Sequence, residues 1–374
     1  MASTQDDELG AIPSYPLYGV SFTLHRLSPL YQDPAGAGLL TSSALALHGR
    51  RFRDLLRGEV LRGVRVGLAG ESDDGLRKAG AFVDCTWTVF GDEIRWAQTH
   101  SSRPDSPTDL QQPSAPADAR GILVQVSYEQ ATYTALFLRS PEDVDPTDTD
   151  GSTQLPLLLT RMPLSLRETF LDYLATTFDT RFSPLTLRSD FLESCFEAFL
   201  ATLTSVPAGE AHGLPSEALA SIFRDVQVSL SFPAPAAPSL RSMDVTIPRE
   251  DVLTFLEEGR AIYASQDPAS SARPPPPPSR PTRTSGPFIA ALSQYLQCHL
   301  ALPMSHADVN ISKIGCGAFL LGAEGKVKIA RPTGPSDAAD PVRTAVAQLV
   351  GNLIQRAQGT PLLGELFEDS TLLG

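Results

Sequence analysis

Apolar positions in this chain alternate in short runs and, between the runs, recur at helical spacing. The first run follows a polar stretch and reads Tyr15-Pro-Leu-Tyr-Gly-Val-Ser-Phe-Thr-Leu-His-Arg-Leu-Ser-Pro-Leu-Tyr31. Tyr18, Val20, Phe22 and Leu24 share one face at period two, which predicts a buried strand. Pro29 cannot donate to a ladder and ends it. A helix is expected next, capped by Thr41 or Ser42 and carrying Leu45, Leu47, Phe52, Leu55 and Leu56. Residues 59–68 alternate again through Val60, Val64, Val66 and Leu68, a strand pattern. Residues 81–96 read as a hairpin, with Phe82, Cys85, Trp87, Val89 and Phe90 going out and Ile94 and Trp96 returning after a Gly91-Asp92 turn. Residues 121–128 and 131–138 form a second strand pair around Glu129-Gln130. Leu166, Phe170, Leu174 and Phe178 then recur every fourth residue after Ser165, one face of a helix. A further helix, capped by Ser189 or Asp190, has Phe191, Leu192, Cys195, Phe196 and Phe199 as its core face.

The second half repeats the mixture. Residues 222–232 and 241–247 are strand-like, with Met243, Val245 and Ile247 alternating in the latter. Pro248 suits the first turn of a short helix over 248–256, and 288–300 is another helix. Residues 308–321 and 326–329 form a hairpin around Gly322-Ala-Glu-Gly325. A last amphipathic helix, 342–357, turns Val346, Leu349, Val350, Leu353 and Ile354 inward. Residues 1–14 read as a disordered tail, and 100–120 and 140–153 as polar loop insertions. Residues 266–287, with prolines at 274 through 278, read as a disordered polyproline-type insertion. The chain changes domain near Val206-Pro-Ala-Gly, giving an N-terminal domain over 15–205 and a C-terminal one over 206–374. Strands arrive in hairpins and meanders rather than in βαβ units. The expected fold is therefore α+β: two domains with mainly antiparallel sheets flanked by helices.

At 374 residues and 42% hydrophobic content, the chain can bury two sizeable cores. The net charge of −13 argues against a dedicated nucleic-acid binder but leaves room for a local basic patch. Cys85, Cys195, Cys298 and Cys316 lie far apart with no CxxC pair, as in a reducing compartment. No apolar run reaches the roughly 18 residues of a membrane span. The acidic, polar start is neither a signal nor a transit peptide, so a soluble nucleocytoplasmic protein is expected.

Catalytic chemistry finds little support. The six histidines include no helical i, i+4 pair, and the adjacent Cys298 and His299 point about 100° apart on a helix. No metal and no cofactor are expected. Gly315-Cys316-Gly317 permits a rival reading, a hydrolase or transferase with Cys316 as nucleophile. Against it, the surrounding apolar run reads as a strand with a buried structural thiol. A catalytic thiolate would be exposed and near a cation. A third reading, an α+β domain for a small ligand, requires a large pocket with polar groups. No G-x-S-x-G, P-loop or G-x-G-x-x-G occurs. One charge feature stands out: six arginines within sixteen residues, Arg50 to Arg65. Arg50, Arg53 and Arg57 lie at i, i+3 and i+7, one helix face suited to phosphate oxygens, or else a solvated face paired with Asp54 and its neighbours.

The run Leu17-Tyr-Gly-Val-Ser-Phe-Thr-Leu-His-Arg-Leu-Ser-Pro-Leu-Tyr31 resembles the N-terminal signature of the CENP-L family of inner-kinetochore subunits in its fungal form. Asp244-Val-Thr-Ile-Pro-Arg-Glu-Asp251 is similar to the family's strand-to-helix step. Leu302-Pro303, residues 310–319 and Gly325-Lys-Val-Lys-Ile329 resemble its C-terminal hairpin. The order matches from residue 15 to about 356, interrupted by the three polar insertions. The family has no catalytic motif to carry over. The resemblance implies a non-enzymatic structural subunit in the nucleus, at the centromere and kinetochore, supporting chromosome segregation. Its implied partners are a CENP-N-like protein in a heterodimer, other inner-kinetochore subunits and centromeric DNA, with no membrane. A partner strand on the hairpin edge would bring Ile311, Ile314, Phe319, Val327 and Ile329 to the interface, and Arg50, Arg53 and Arg57 would face DNA.

Overall fold

The computed structural model describes residues 14–32, 38–61, 74–101, 120–140, 151–204, 224–233, 240–265, 286–332 and 340–359. Outside them lie nearly all of the expected tail, most of the three insertions, the stretch at 206–209, and residues 62–68 of the expected second strand. The chain divides into two compact units, residues 1–184 with 354–360, and 185–353 with 361–374. The fold is α+β.

In the first unit a sheet runs in the order β3 (Phe82–Phe90), β4 (Gly121–Tyr128), β5 (Thr132–Leu138), β7 (Leu157–Arg161), β1 (Ser21–Leu27), and β8 (Phe182–Pro184) also pairs with β1. These pairs are antiparallel. A two-stranded ribbon joins β2 (Leu30–Tyr31) to β6 (Ser152–Thr153). Helices α1 (Ser42–Leu61) and α4 (Leu164–Phe178) supply the other core faces, and α2 (Asp74–Lys78) and α3 (Glu93–Ser101) flank β3 in sequence. The core joins Phe52 of α1, Trp87, Phe137, and Phe170, Tyr173 and Phe178 of α4.

Three expectations change in this unit, and one strand was not expected. Leu47 is exposed, because Leu45, His48, Gly49, Phe52 and Leu56 hold the buried stripe and Leu47 falls outside it. Residues 59–61 continue α1 instead of starting a strand. Residues 93–96 form helix, not a returning strand. The Asp92 side chain accepts the Arg95 N–H at 2.8 Å and its carbonyl accepts that of Trp96 at 2.9 Å, so Asp92 caps α3. The run Leu155-Pro-Leu-Leu-Leu-Thr160 carries no alternation because β7 is buried on both faces between β1 and β5.

The second unit holds α5 (Ser189–Thr204), β9 (Val226–Ser231), β10 (Ser242–Ile247), α6 (Arg249–Ser265), α7 (Pro287–Leu300), β11 (Asn310–Gly315), β12 (Phe319–Gly322), β13 (Lys326–Ile329) and most of α8 (Pro341–Gln358). The sheet order is β10-β9-β11-β12-β13, antiparallel throughout. The expected hairpin is a three-strand meander: Cys316 N–H donates to the Phe319 carbonyl at 2.9 Å, folding the long apolar run in two at its glycines. The helix at 189–204, grouped by sequence with the first domain, packs here. Phe196 meets Phe288 and Phe319 edge-on, and Phe199 meets Phe319 at 4.8 Å. Helix α6 reaches Ser265, well past the expected end at 256.

Candidate functional site

A sheet ends in strands whose outer N–H and C=O groups invite another strand unless they are covered. In the first unit the end strand β3 is guarded. Helix α1 approaches it closely at Gly49, where a Cβ would lie 3.4 Å from the Cys85 carbonyl oxygen. The register of β3 shifts between Phe82 and Asp84. Arg53 donates to Asp84 Oδ1 at 3.4 Å and also lies 3.8 Å from Asp54. Arg57 donates to the Val83 carbonyl at 3.5 Å and stacks over the Phe82 ring. Arg50 is exposed and donates to the Ala46 carbonyl of its own helix, and Arg51 beside it is exposed as well. The arginine row is thus divided: Arg53 is tied to the protein's own carboxylates, Arg57 steadies a strand edge, and Arg50 faces solvent.

In the second unit Ile311, Ile314, Phe319, Val327 and Ile329 come together, but inward. Each is at most 2% exposed. Strand β11 lies between β9 and β12, so it offers no free edge. These five side chains build the sheet's core face, Phe319 against Phe196 and Phe199 of α5, and cannot meet a partner in this state.

The open edge is β10. It pairs with β9 alone among the described strands. The Phe232 N–H donates to the Arg241 carbonyl, and Ser242 pairs opposite Ser231. Antiparallel alternation then directs the N–H and C=O of Ser242, Asp244 and Thr246 away from β9. Unlike β3, β10 carries no bulge in its pairing with β9. The side chain of Asp244 accepts a hydrogen bond from the Ser229 hydroxyl of the neighbouring strand.

Beside this edge α6 and α7 leave a cleft of about 520 Å³. Ile247, Phe255, Ile262 and Leu292 line it with apolar surface, and Asp251 and Glu258 stand exposed on its walls. Tyr295, 47% exposed, packs on Phe255 and against the His299 ring at 4.5 Å. The two helices meet closely because Gly259 has no side chain: a Cβ there would overlap the Pro287 carbonyl. The sequence reading missed this cleft by ending α6 too early. Phe255 and Ile262, seven residues apart, were the available signal.

Cys298 is a free, exposed thiol on the cleft wall, whereas several other reactive groups are occupied or suppressed. Burial pushes the Cys316 thiol up to about 11 and the Cys85 thiol up to about 12, the opposite of an activated thiolate. His48 bonds the Tyr173 hydroxyl at 3.1 Å, and burial lowers its pKa to about 4. Burial likewise lowers His25 to about 4. Glu197 accepts the Ile289 N–H at 2.8 Å at the start of α7, and burial raises it to about 7. No group of three or more His, Cys, Asp or Glu among the described residues is placed to hold a metal ion. None of the described helices is long and apolar enough to cross a membrane.

Fold and edge define an α+β protein in which the end strand β3 is guarded and the end strand β10 is open among the described residues. The chain belongs to the CENP-L family: the centromere protein L family model matches residues 16–358. It is therefore a centromere protein. No curated protein matches it.

Proposed function

We propose that this chain is a non-enzymatic subunit of the inner kinetochore that pairs with a CENP-N-like protein by strand addition to its second unit. The observation that carries this reading is the open β10, whose outward amides and carbonyls at Ser242, Asp244 and Thr246 match the needs of an added strand. The contrast with β3 supports it, because the chain guards that end strand of the first unit with a helix, a bulge and two arginines. The five buried residues Ile311, Ile314, Phe319, Val327 and Ile329 contribute by holding the sheet that presents this edge. Membership of the centromere protein L family sets the assembly in which the pairing is sought. That membership also supports the proposed partnership with other inner-kinetochore subunits and a role in chromosome segregation.

Affinity purification from nuclei tests it. The parent chain should bring down a CENP-N-like protein with other inner-kinetochore subunits. Thr246→Pro removes an outward amide without touching the β9 ladder, and edge strands tolerate proline. This variant should fold and lose the CENP-N-like protein. Undiminished recovery with Thr246→Pro would rule out strand addition here.

A further inference from the structure

The cleft beside β10 is unexplained by strand pairing, which uses backbone alone. Its charged lining residues, Asp251 and Glu258, are both acidic. They lie seven residues apart on α6, two helical turns on one face, or about 10 Å along the axis. Arg249 and Arg260, the cations of the same helix, are not among the lining residues. The floor is apolar, made by Phe255 between the carboxylates, Ile262 one turn beyond Glu258, and Leu292, and the exposed Tyr295 ring forms one side with His299. Val245, Thr246 and Ile247 also line the cleft, so it is continuous with the edge that receives the added strand.

An apolar floor with a carboxylate rim suits a side chain that has an apolar stem and a cationic head. Lysine and arginine are the side chains of that description, and their stems cover apolar surface while the head stays near water. An aromatic face beside the head adds cation–π attraction. A phosphate or another carboxylate would meet two like charges, with His299 the lone base among the lining residues. We infer that the cleft takes an arginine or lysine that flanks the partner's added strand, and so makes the pairing selective for a basic segment. This rests on the strand-addition reading above.

The test uses the full chain and the CENP-N-like subunit, with affinity measured at low and at physiological salt. Asp251→Asn with Glu258→Gln keeps size and hydrogen bonding and removes both charges. The double variant should bind about tenfold more weakly at low salt and lose much of the salt dependence, because rim charges act through steering and screening. Glu258→Lys, at an exposed mid-helix position, should weaken binding further. Equal melting temperatures establish that these variants are folded. If Thr246→Pro abolishes binding while the double variant binds like the parent at both salts, the cleft inference is wrong and strand addition stands. If Thr246→Pro binds like the parent, strand addition fails and the cleft inference falls with it. Replacing residues 266–285 by Gly/Ser removes Arg273, Arg280 and Arg283. If the double variant matters only when that segment is present, the cation belongs to this chain and a partner's is excluded.

Discussion

Glu197 illustrates how much a single buried carboxyl can control. It is 8% exposed, it crosses from α5 to cap α7, and Gly286 makes room for it, since a Cβ there would overlap its carboxyl group. Its pKa stands near 7 against an ordinary 4.5, so the folded state holds its proton longer than the unfolded one. The stability this contributes is present below pH 4.5 and is lost as pH rises through about 7. Glu197→Gln keeps an acceptor for the Ile289 N–H and removes the charge. Urea unfolding should find the variant more stable than the parent above pH 7, by roughly 1–3 kcal/mol, and similar near pH 4. The opposite order above pH 7 would mean that the ionised cap is worth more than its burial costs.

The arginines can be weighed at the same scale. We predict that changing Arg50, Arg53 and Arg57 to Ala lowers the DNA affinity of the heterodimer and flattens its salt dependence, since phosphate contacts release counterions. Arg50 should account for most of the change, because Arg53 is bound to Asp84 and Arg57 to the Val83 carbonyl. DNA binding equal to the parent at every salt concentration would reduce the row to edge protection of β3. These roles were not legible in the sequence. Helical spacing gave the shared face, but Asp84 lies thirty-one positions from Arg53 and only the packing of α1 on β3 joins them.

At the scale of elements, the helices with a clean four-residue recurrence were readable: Leu166, Phe170, Leu174 and Phe178 are all buried in α4. So was the β4–β5 pair, with Val124 opposite Ala135 as the turn at Glu129-Gln130 requires. What misled was local ambiguity. Gly91-Asp92 serves equally as a hairpin turn or as a helix cap, and only the Asp92–Arg95 hydrogen bond decides. The meander at 310–329 hid its middle turn because Gly315 and Gly317 also fit a strand bulge. The Pro-rich segment supports a prediction from composition alone. Five consecutive prolines offer no N–H to a ladder. Exchanging residues 266–285 for a short Gly/Ser linker should shift the melting temperature by about 2 °C or less, whereas the loss of a packed element would shift it by several degrees. Differential scanning calorimetry distinguishes the two.

For the whole molecule, the two units solve the edge problem differently. The first spends α1, a bulge and two arginines on β3, and the second leaves β10 bare beside an acidic cleft. The α+β class was legible from strands that arrive in hairpins. The place of the open edge was not. Nothing in the pattern of residues 308–329 says that β9 will pair on one side of β11 and fill the edge expected to be free. That correction moves the expected partner contact from the side chains of Ile311 and Ile314, whose replacement by charged residues should now unfold the unit, to the backbone of β10.

Amide hydrogen exchange of the chain, alone and in complex with the CENP-N-like subunit, tests that assignment most directly. In the free chain the N–H groups of Asp244 and Thr246 point away from β9 and should exchange fast, while those of Met243 and Val245 are held in the ladder. On complex formation Asp244 and Thr246 should become protected by about a hundredfold or more, as amides in a paired strand are. A stable complex in which those two amides exchange as fast as in the free chain would contradict strand addition at β10.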